Sequence, residues 1–223
     1  MTMKNEINRS ILEVLERTKE NEVLTDLTDL ERDNLLALNL IQSSNATYIF
    51  SRENRIDLAM IAVEQGVDVA QVVELMTWKD FEGLIAGILV ENGFHCTESF
   101  RRRGTALIQG MEIDVIGVRG RLGLSIDAKM WGIRGGKRTA LQTAAVKQKD
   151  RTFRLTNQLG RLSQKIVTMR EGEYEFIPIL VTWLVEEVEM HEGVPIVPVF
   201  KFNSFIQNFE QYQDLMVSYQ GQL

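Results

Sequence analysis

Residues 122–129 alternate strictly between apolar and small or polar side chains. Leu122, Leu124, Ile126 and Ala128 share one face, and Gly123, Ser125, Asp127 and Lys129 share the other, the period-2 pattern of a β-strand. Residues 111–118 predict a second strand, and Arg119-Gly120-Arg121 a tight turn between the two. With Gly120-Arg121 as a Gly-first two-residue loop, Asp114 falls directly opposite Asp127, their Cβ atoms about 4.5–5.5 Å apart. Elsewhere helical periodicity dominates the N-terminal part. Residues 5–21 carry Ile7, Ile11, Leu12, Val14 and Leu15 at helical spacing. Thr28-x-x-Glu31 is a capping box opening a helix that runs to Leu40 or Ile41. The phrase NLIQSSNATYIFS predicts a hairpin turning at residues 43–47. Ser51 caps a helix over residues 52–65 that Gly66 closes, and residues 68–76 form a short connecting helix.

Thr77-x-x-Asp80 caps the next helix, with Phe81, Leu84, Ile85, Ile88 and Leu89 as its buried stripe and Asn92-Gly93 as its end. Residues 94–100 predict a strand. After the hairpin, Gly135-Gly136 turns the chain into a long helical stretch, residues 138–169, with a break near 155–160. Residues 176–183 and 194–200 are strands, and Asn203 or Ser204 caps a last helix to about Met216. Two domains are expected, residues 1–76 and 77–223. The helix between them lacks Pro, Ser and Gly, so they should be packed rather than tethered.

The 223 residues, 44% apolar and 25% charged, are ordinary for a globular protein. No run approaches a membrane span, and MTMKNEINRS lacks the apolar core of a secretory signal. With Cys96 as the sole cysteine and His95 and His191 as the only histidines, neither a disulfide nor a zinc site is expected, and a cytoplasmic setting follows. The net charge of −6 is unevenly spread: residues 1–77 carry −7, 78–100 carry −3, 101–170 carry +12 and 171–223 carry −8. Three of the four acids in the basic block are Glu112, Asp114 and Asp127. A positive field around a few carboxylates fits a site for a polyanion; a solvated basic face is the plainer alternative.

Two facing carboxylates repel unless a cation lies between them. Ile113, Val115 and Ile126 beside them are apolar, so both acids should hang from central strands rather than from an exposed hairpin. Asp114, Asp127, the Ala128 carbonyl and waters would suit Mg²⁺ at about 2.0–2.1 Å, with Mn²⁺ as a substitute. Lys129 would position or deprotonate an attacking water or hold a phosphate; pairing with Glu112 across the hairpin is the structural alternative. Arg101, Arg102 and Arg103, in the loop after the first strand, would clamp phosphate, together with Lys147, Lys149 and Arg151 on the basic helix. Trp131 would stack on a base or join the core.

The acid pair followed by Asp127-Ala128-Lys129 resembles the PD-(D/E)XK signature of the restriction-endonuclease-like nucleases. TWKDFEGLIAGILVENGF, EID and DAKMW look like the archaeal and bacterial branch that includes Mrr-type restriction enzymes. The resemblance spans residues 77–209, about 60% of the chain. Ile113 stands where the motif has proline, and Asp127 where Glu is commoner. The resemblance implies an α-β-β-β-α-β core with a mixed sheet flanked by helices. It also implies Glu82 as an outer or second-metal ligand, and Gln148, better placed than Gln142, as a glutamine near the metal. Helix, helix, hairpin, helix in residues 1–76 resembles a winged-helix domain, whose negative charge favours dimerisation or partner docking over DNA reading. The expected activity is Mg²⁺-dependent DNA cleavage by a homodimer, with no organic cofactor and no membrane. The rivals are an inactive nuclease-fold scaffold and a winged-helix regulator.

Overall fold

A computed structural model describes residues 3–41, 47–104, 110–131 and 137–223. The chain folds as two compact units, Met1–Gly83 and Leu84–Leu223. The division falls seven residues beyond the predicted boundary, inside a helix. Among the described residues no helix is long and apolar enough to cross a membrane.

The first unit holds α1 (Met3–Arg17), α2 (Asp29–Ala37), α3 (Arg52–Glu64), α4 (Val69–Leu75) and the first turn of α5 (Trp78–Glu91). The predicted caps form: Thr28 and Glu31 make the capping box of α2, and Ser51 with Asn54 makes that of α3. Ile11, Val14, Leu15, Leu35, Leu58 and Phe81 are fully buried. Arg55 is buried among them. It donates to the carbonyls of Leu15 (2.7 Å) and Leu75 (2.7 Å), to Thr18 Oγ1 (2.6 Å) and to Asp80 Oδ2 (3.1 Å). Asp80 also accepts from the Thr77 backbone N–H at 2.8 Å, so one satisfied ion pair ties α1, α3, α4 and the start of α5. Removing one partner of such a pair typically costs about 3–5 kcal/mol.

The predicted hairpin of residues 39–50 is corrected by the structure. Asn39 takes a left-handed φ of 57° and Leu40 N–H bonds to the Leu35 carbonyl (3.0 Å), closing α2 instead of opening a strand. β2 (Tyr48–Ile49) pairs antiparallel with β1 (Val23–Leu24), on the far side of α2 in sequence. The predicted turn at residues 43–47 lies, but for Thr47, outside the described residues, as does Gly135-Gly136.

The second unit is α/β, a mixed sheet flanked by helices. Its strands are β3 (His95–Arg102), β4 (Met111–Arg119), β5 (Leu122–Lys129), β6 (Glu173–Thr182), β7 (Met190–His191), β8 (Val194–Pro198) and β9 (Tyr219–Gln222). The spatial order is β3-β4-β5-β6-β8-β7, and β9 pairs the N-terminal half of β6. β3, β4 and β5 form an antiparallel meander, while β6 runs parallel to β5 and β8 parallel to β6. The β5–β6 crossover contains α6 (Lys137–Leu155), a 3₁₀ turn (Thr156–Gln158) and α7 (Leu159–Ser163), broken where the sequence predicts. Leu89 of α5 packs over Gly117, where an added Cβ would lie 2.8 Å from its Cδ1; α6 covers the opposite face, through the bonds described below. β5 is therefore buried on both sides.

Two further boundaries differ from expectation. β3 continues to Arg102, so Arg101 and Arg102 are strand residues rather than loop. β8 stops at Pro198 and α8 (Val199–Gln207) begins at once, placing Asn203 and Ser204 inside the helix rather than at its cap. Proline has no N–H to extend the ladder and its fixed φ suits a helix entrance.

Candidate active site

The β4–β5 ladder runs from Arg119↔Leu122 to Val115↔Ile126, with Gly120 at φ 60° in the two-residue turn. The next positions in that register are Asp114 and Asp127, as the sequence predicts, and there the ladder stops. In continued register Ala128 would face Ile113; its N–H donates instead to Asp114 Oδ2 at 2.7 Å. On the other side of β4, β3 pairs Glu98↔Val115 and Phe100↔Ile113 but skips Ser99, which lies opposite Asp114 at a left-handed φ of 49°. A non-glycine residue held there costs about 1–2 kcal/mol. Asp114 thus occupies the point at which both neighbouring ladders are interrupted.

Asp127 is 2% exposed. Arg151 Nη1 of α6 reaches its Oδ1 at 2.8 Å, and Lys129 Nζ pairs with its Oδ2. A buried carboxylate without such partners would be expelled or protonated. Burial, and then the charge of Asp127, push the Asp114 carboxyl up to about 6; the Ala128 N–H, Lys129 and Arg151 pull it the other way. A carboxyl held up by burial and by a neighbouring carboxylate is a donor whose ionisation a divalent cation would favour. The fit is to an oxygen-liking ion that keeps several waters. Among the described residues no group of three or more His, Cys, Asp or Glu is placed to hold a metal. Glu82, expected in the first turn of α5 as an additional ligand, is buried just past that turn, within the first unit.

Gln148 is 0% exposed, in the buried stripe of α6 with Leu141, Ala144 and Ala145. Its Nε2 donates to the Ser125 carbonyl (2.8 Å) and Ser125 Oγ (2.9 Å), one pleat before Asp127, while its Oε1 has no hydrogen-bond partner among the described residues. The polar face of β5 is thus an inner face: Phe176 sits over Gly123, Gln148 over Ser125 and Arg151 over Asp127.

Two concavities meet at this face. One, of about 560 Å³, is lined by Asp127, Lys129, Trp131, Thr143, Lys147 and Arg151 among others. The second, of about 500 Å³, is lined by Arg101, Arg102, Arg103, Lys147, Arg151 and Arg154, with Glu112 and Asp150. Lys147 and Arg151 belong to both. Glu112 pairs with Arg101 (Nε–Oε1 2.8 Å) and not with Lys129. Lys149 lines neither concavity and binds Glu192 at 2.9 Å. Arg154, which no sequence motif singles out, occupies the face assigned to Lys149, because positions 147, 151 and 154 share one side of a helix and 149 lies on the other. Trp131 also packs against the apolar cluster of Leu141, Leu180 and Ile196.

No family model matches the chain. A protein of Archaeoglobus fulgidus, described only as uncharacterized, is 26% identical over 140 residues, which is 61% of this chain and 95% of that one. Among solved structures, protein VC1899 from Vibrio cholerae is similar at 12% identity and a TM-score of 0.33, covering 94% of this chain and 57% of the other. Can2 from Sulfobacillus thermosulfidooxidans, solved with cyclic tetra-adenylate, has 9% identity and the same TM-score of 0.33, covering 92% of this chain and 51% of the other. The chain spans little more than half the length of these two proteins.

Proposed function

We propose that the protein is a divalent-metal-dependent endonuclease that hydrolyses phosphodiester bonds in DNA. One observation carries the reading: Asp114, Asp127 and Lys129 share one face of the β4–β5 hairpin, beside a concavity rimmed by Arg101, Arg102, Arg103, Lys147 and Arg154. The order α5-β3-β4-β5-α6-β6 agrees with the core that the PD-(D/E)XK resemblance implies, and supports it.

Asp114, Asp127 and the Ala128 carbonyl would hold Mg²⁺, or Mn²⁺ in its place. When bound, the ion supplies Lewis-acid polarisation of the phosphate and a more acidic water. The chain's own groups do the rest. Lys129 Nζ neutralises charge building on the scissile phosphate and orients the water. The arginines and Lys147 hold flanking phosphates. Burial of Asp127 between sheet and α6 strengthens each of these interactions by excluding water. Two copies in a symmetric dimer would present one site to each strand, and the first unit, acidic overall, suits dimerisation or partner docking.

A second reading has one observation in its favour. Asp127 is already matched by Arg151 and Lys129, as it would be in a DNA-binding scaffold that has lost turnover. Incubation of supercoiled plasmid with Mg²⁺ or Mn²⁺ separates the two. Nicking or linearisation that falls by orders of magnitude in Asp127→Asn and Lys129→Ala supports the nuclease. DNA binding without cleavage by the wild type supports the scaffold.

A further inference from the structure

We infer that Arg151 is a positioning residue that couples DNA binding in the basic concavity to divalent-cation binding by Asp114 and Asp127. The inference rests on the nuclease reading and adds to it a reciprocal coupling between the site's two ligands. Arg151 has one guanidinium and two claims on it. Its Nη1 holds Asp127 Oδ1 at 2.8 Å, and Arg151 lines both the concavity at Asp127 and Lys129 and the arginine-rich one. While it rests on Asp127, a cation arriving at the acid pair meets a carboxylate whose charge is partly matched, and must displace a charge-assisted hydrogen bond. A phosphate in the neighbouring concavity offers the same guanidinium a bidentate partner. Turning Arg151 toward that phosphate removes one of the two cationic groups that match Asp127, leaving Lys129 in place. A cation on Asp127, conversely, frees Arg151 for phosphate. Each ligand removes the other's competitor, so the two must bind with positive coupling, equal in both directions.

Lys147 provides the control. It is exposed, lines the same two concavities and has no carboxylate partner among the described residues. Its removal takes away the same unit charge without touching Asp127.

The test is calorimetric titration of Ca²⁺ into the full chain, alone and with a saturating short DNA duplex, on wild type, Arg151→Ala, Arg151→Lys and Lys147→Ala. The wild type should bind Ca²⁺ about ten-fold or more tightly once DNA is present, and DNA should gain the same factor from Ca²⁺. In Arg151→Ala the DNA-free chain should bind Ca²⁺ more tightly than wild type, and the coupling should fall well below the wild-type value, to what direct attraction between the cation and the phosphate supplies. Lys147→Ala should lose DNA affinity but keep the coupling, and Arg151→Lys should restore part of it. Equal loss of coupling in Arg151→Ala and Lys147→Ala, or full coupling in Arg151→Ala, overturns the inference. If that happens while the wild type cleaves DNA in Mg²⁺ and Asp127→Asn loses Ca²⁺, the nuclease reading stands and only the role of Arg151 falls. Absence of Ca²⁺ binding in the wild type, or binding unchanged in Asp127→Asn, overturns both.

Discussion

Burial and the charge of Asp127 raise Asp114 from 3.8 to about 6, and the stability of the fold and the proposed cation binding both depend on that shift. The folded chain holds this proton more tightly than the unfolded chain, so folding takes up a proton between the two values. The group therefore favours the fold most below 3.8, and its contribution declines to a lower plateau above about 6. Asp114→Asn should stabilise the metal-free protein at pH 8 by about 3 kcal/mol, the gain fading toward pH 4. Urea unfolding at the two pH values checks this; a variant less stable than wild type at pH 8 would contradict it. Because a cation needs the ionised carboxylate, Mg²⁺ affinity should fall roughly ten-fold per pH unit once pH drops below about 6, as titration calorimetry would show. The acids and Lys129 are legible in sequence because period 2 and a two-residue turn fix their register. Two features are not: Ser99, whose left-handed φ reflects what lies opposite it rather than its own preference, and the link from Arg151 to Asp127, since no local pattern connects a helix residue to a strand residue 24 positions earlier.

The hairpin and the helix after it differ in how far the sequence reaches. The β4–β5 register is local, set by Gly120-Arg121 and the alternating face, and the structure has it as read. On α6 closeness in sequence groups Lys147, Lys149 and Arg151, and helical geometry regroups them: Lys147, Arg151 and Arg154 line the basic concavity, while Lys149 pairs with Glu192. Lys147→Ala and Arg154→Ala should each weaken DNA binding for all sequences and flatten the slope of log K against log salt by about one. Lys149→Ala should change neither by much. The measurement is a salt titration of duplex binding in Ca²⁺, and equal effects of Lys149→Ala and Arg154→Ala would contradict the assignment. The elements without a local signature are short and depend on distant partners. Tyr219–Gln222 is a strand only because the edge of β6 from Glu173 to Phe176 is open to it, and Tyr48–Ile49 finds its partner at Val23–Leu24 instead of across the adjacent turn.

Across the full chain the charge map and the fold agree. Of the +12 of residues 101–170, half is carried by β3, β4, β5 and α6, the elements around the acid pair, whereas the first unit is acidic and held by its own buried Arg55 network. A polyanion should therefore engage the second unit. The proposed chemistry turns on Asp114 and Asp127 together holding a divalent cation. A crystal structure of the protein with Mn²⁺, read by anomalous scattering, addresses that point without intermediary. One peak is expected between the two carboxylates, at oxygen-ligand distance from both, and it should disappear in Asp127→Asn. A chain saturated with Mn²⁺ that shows no peak there, or holds its ion away from both acids, would contradict the metal-site reading.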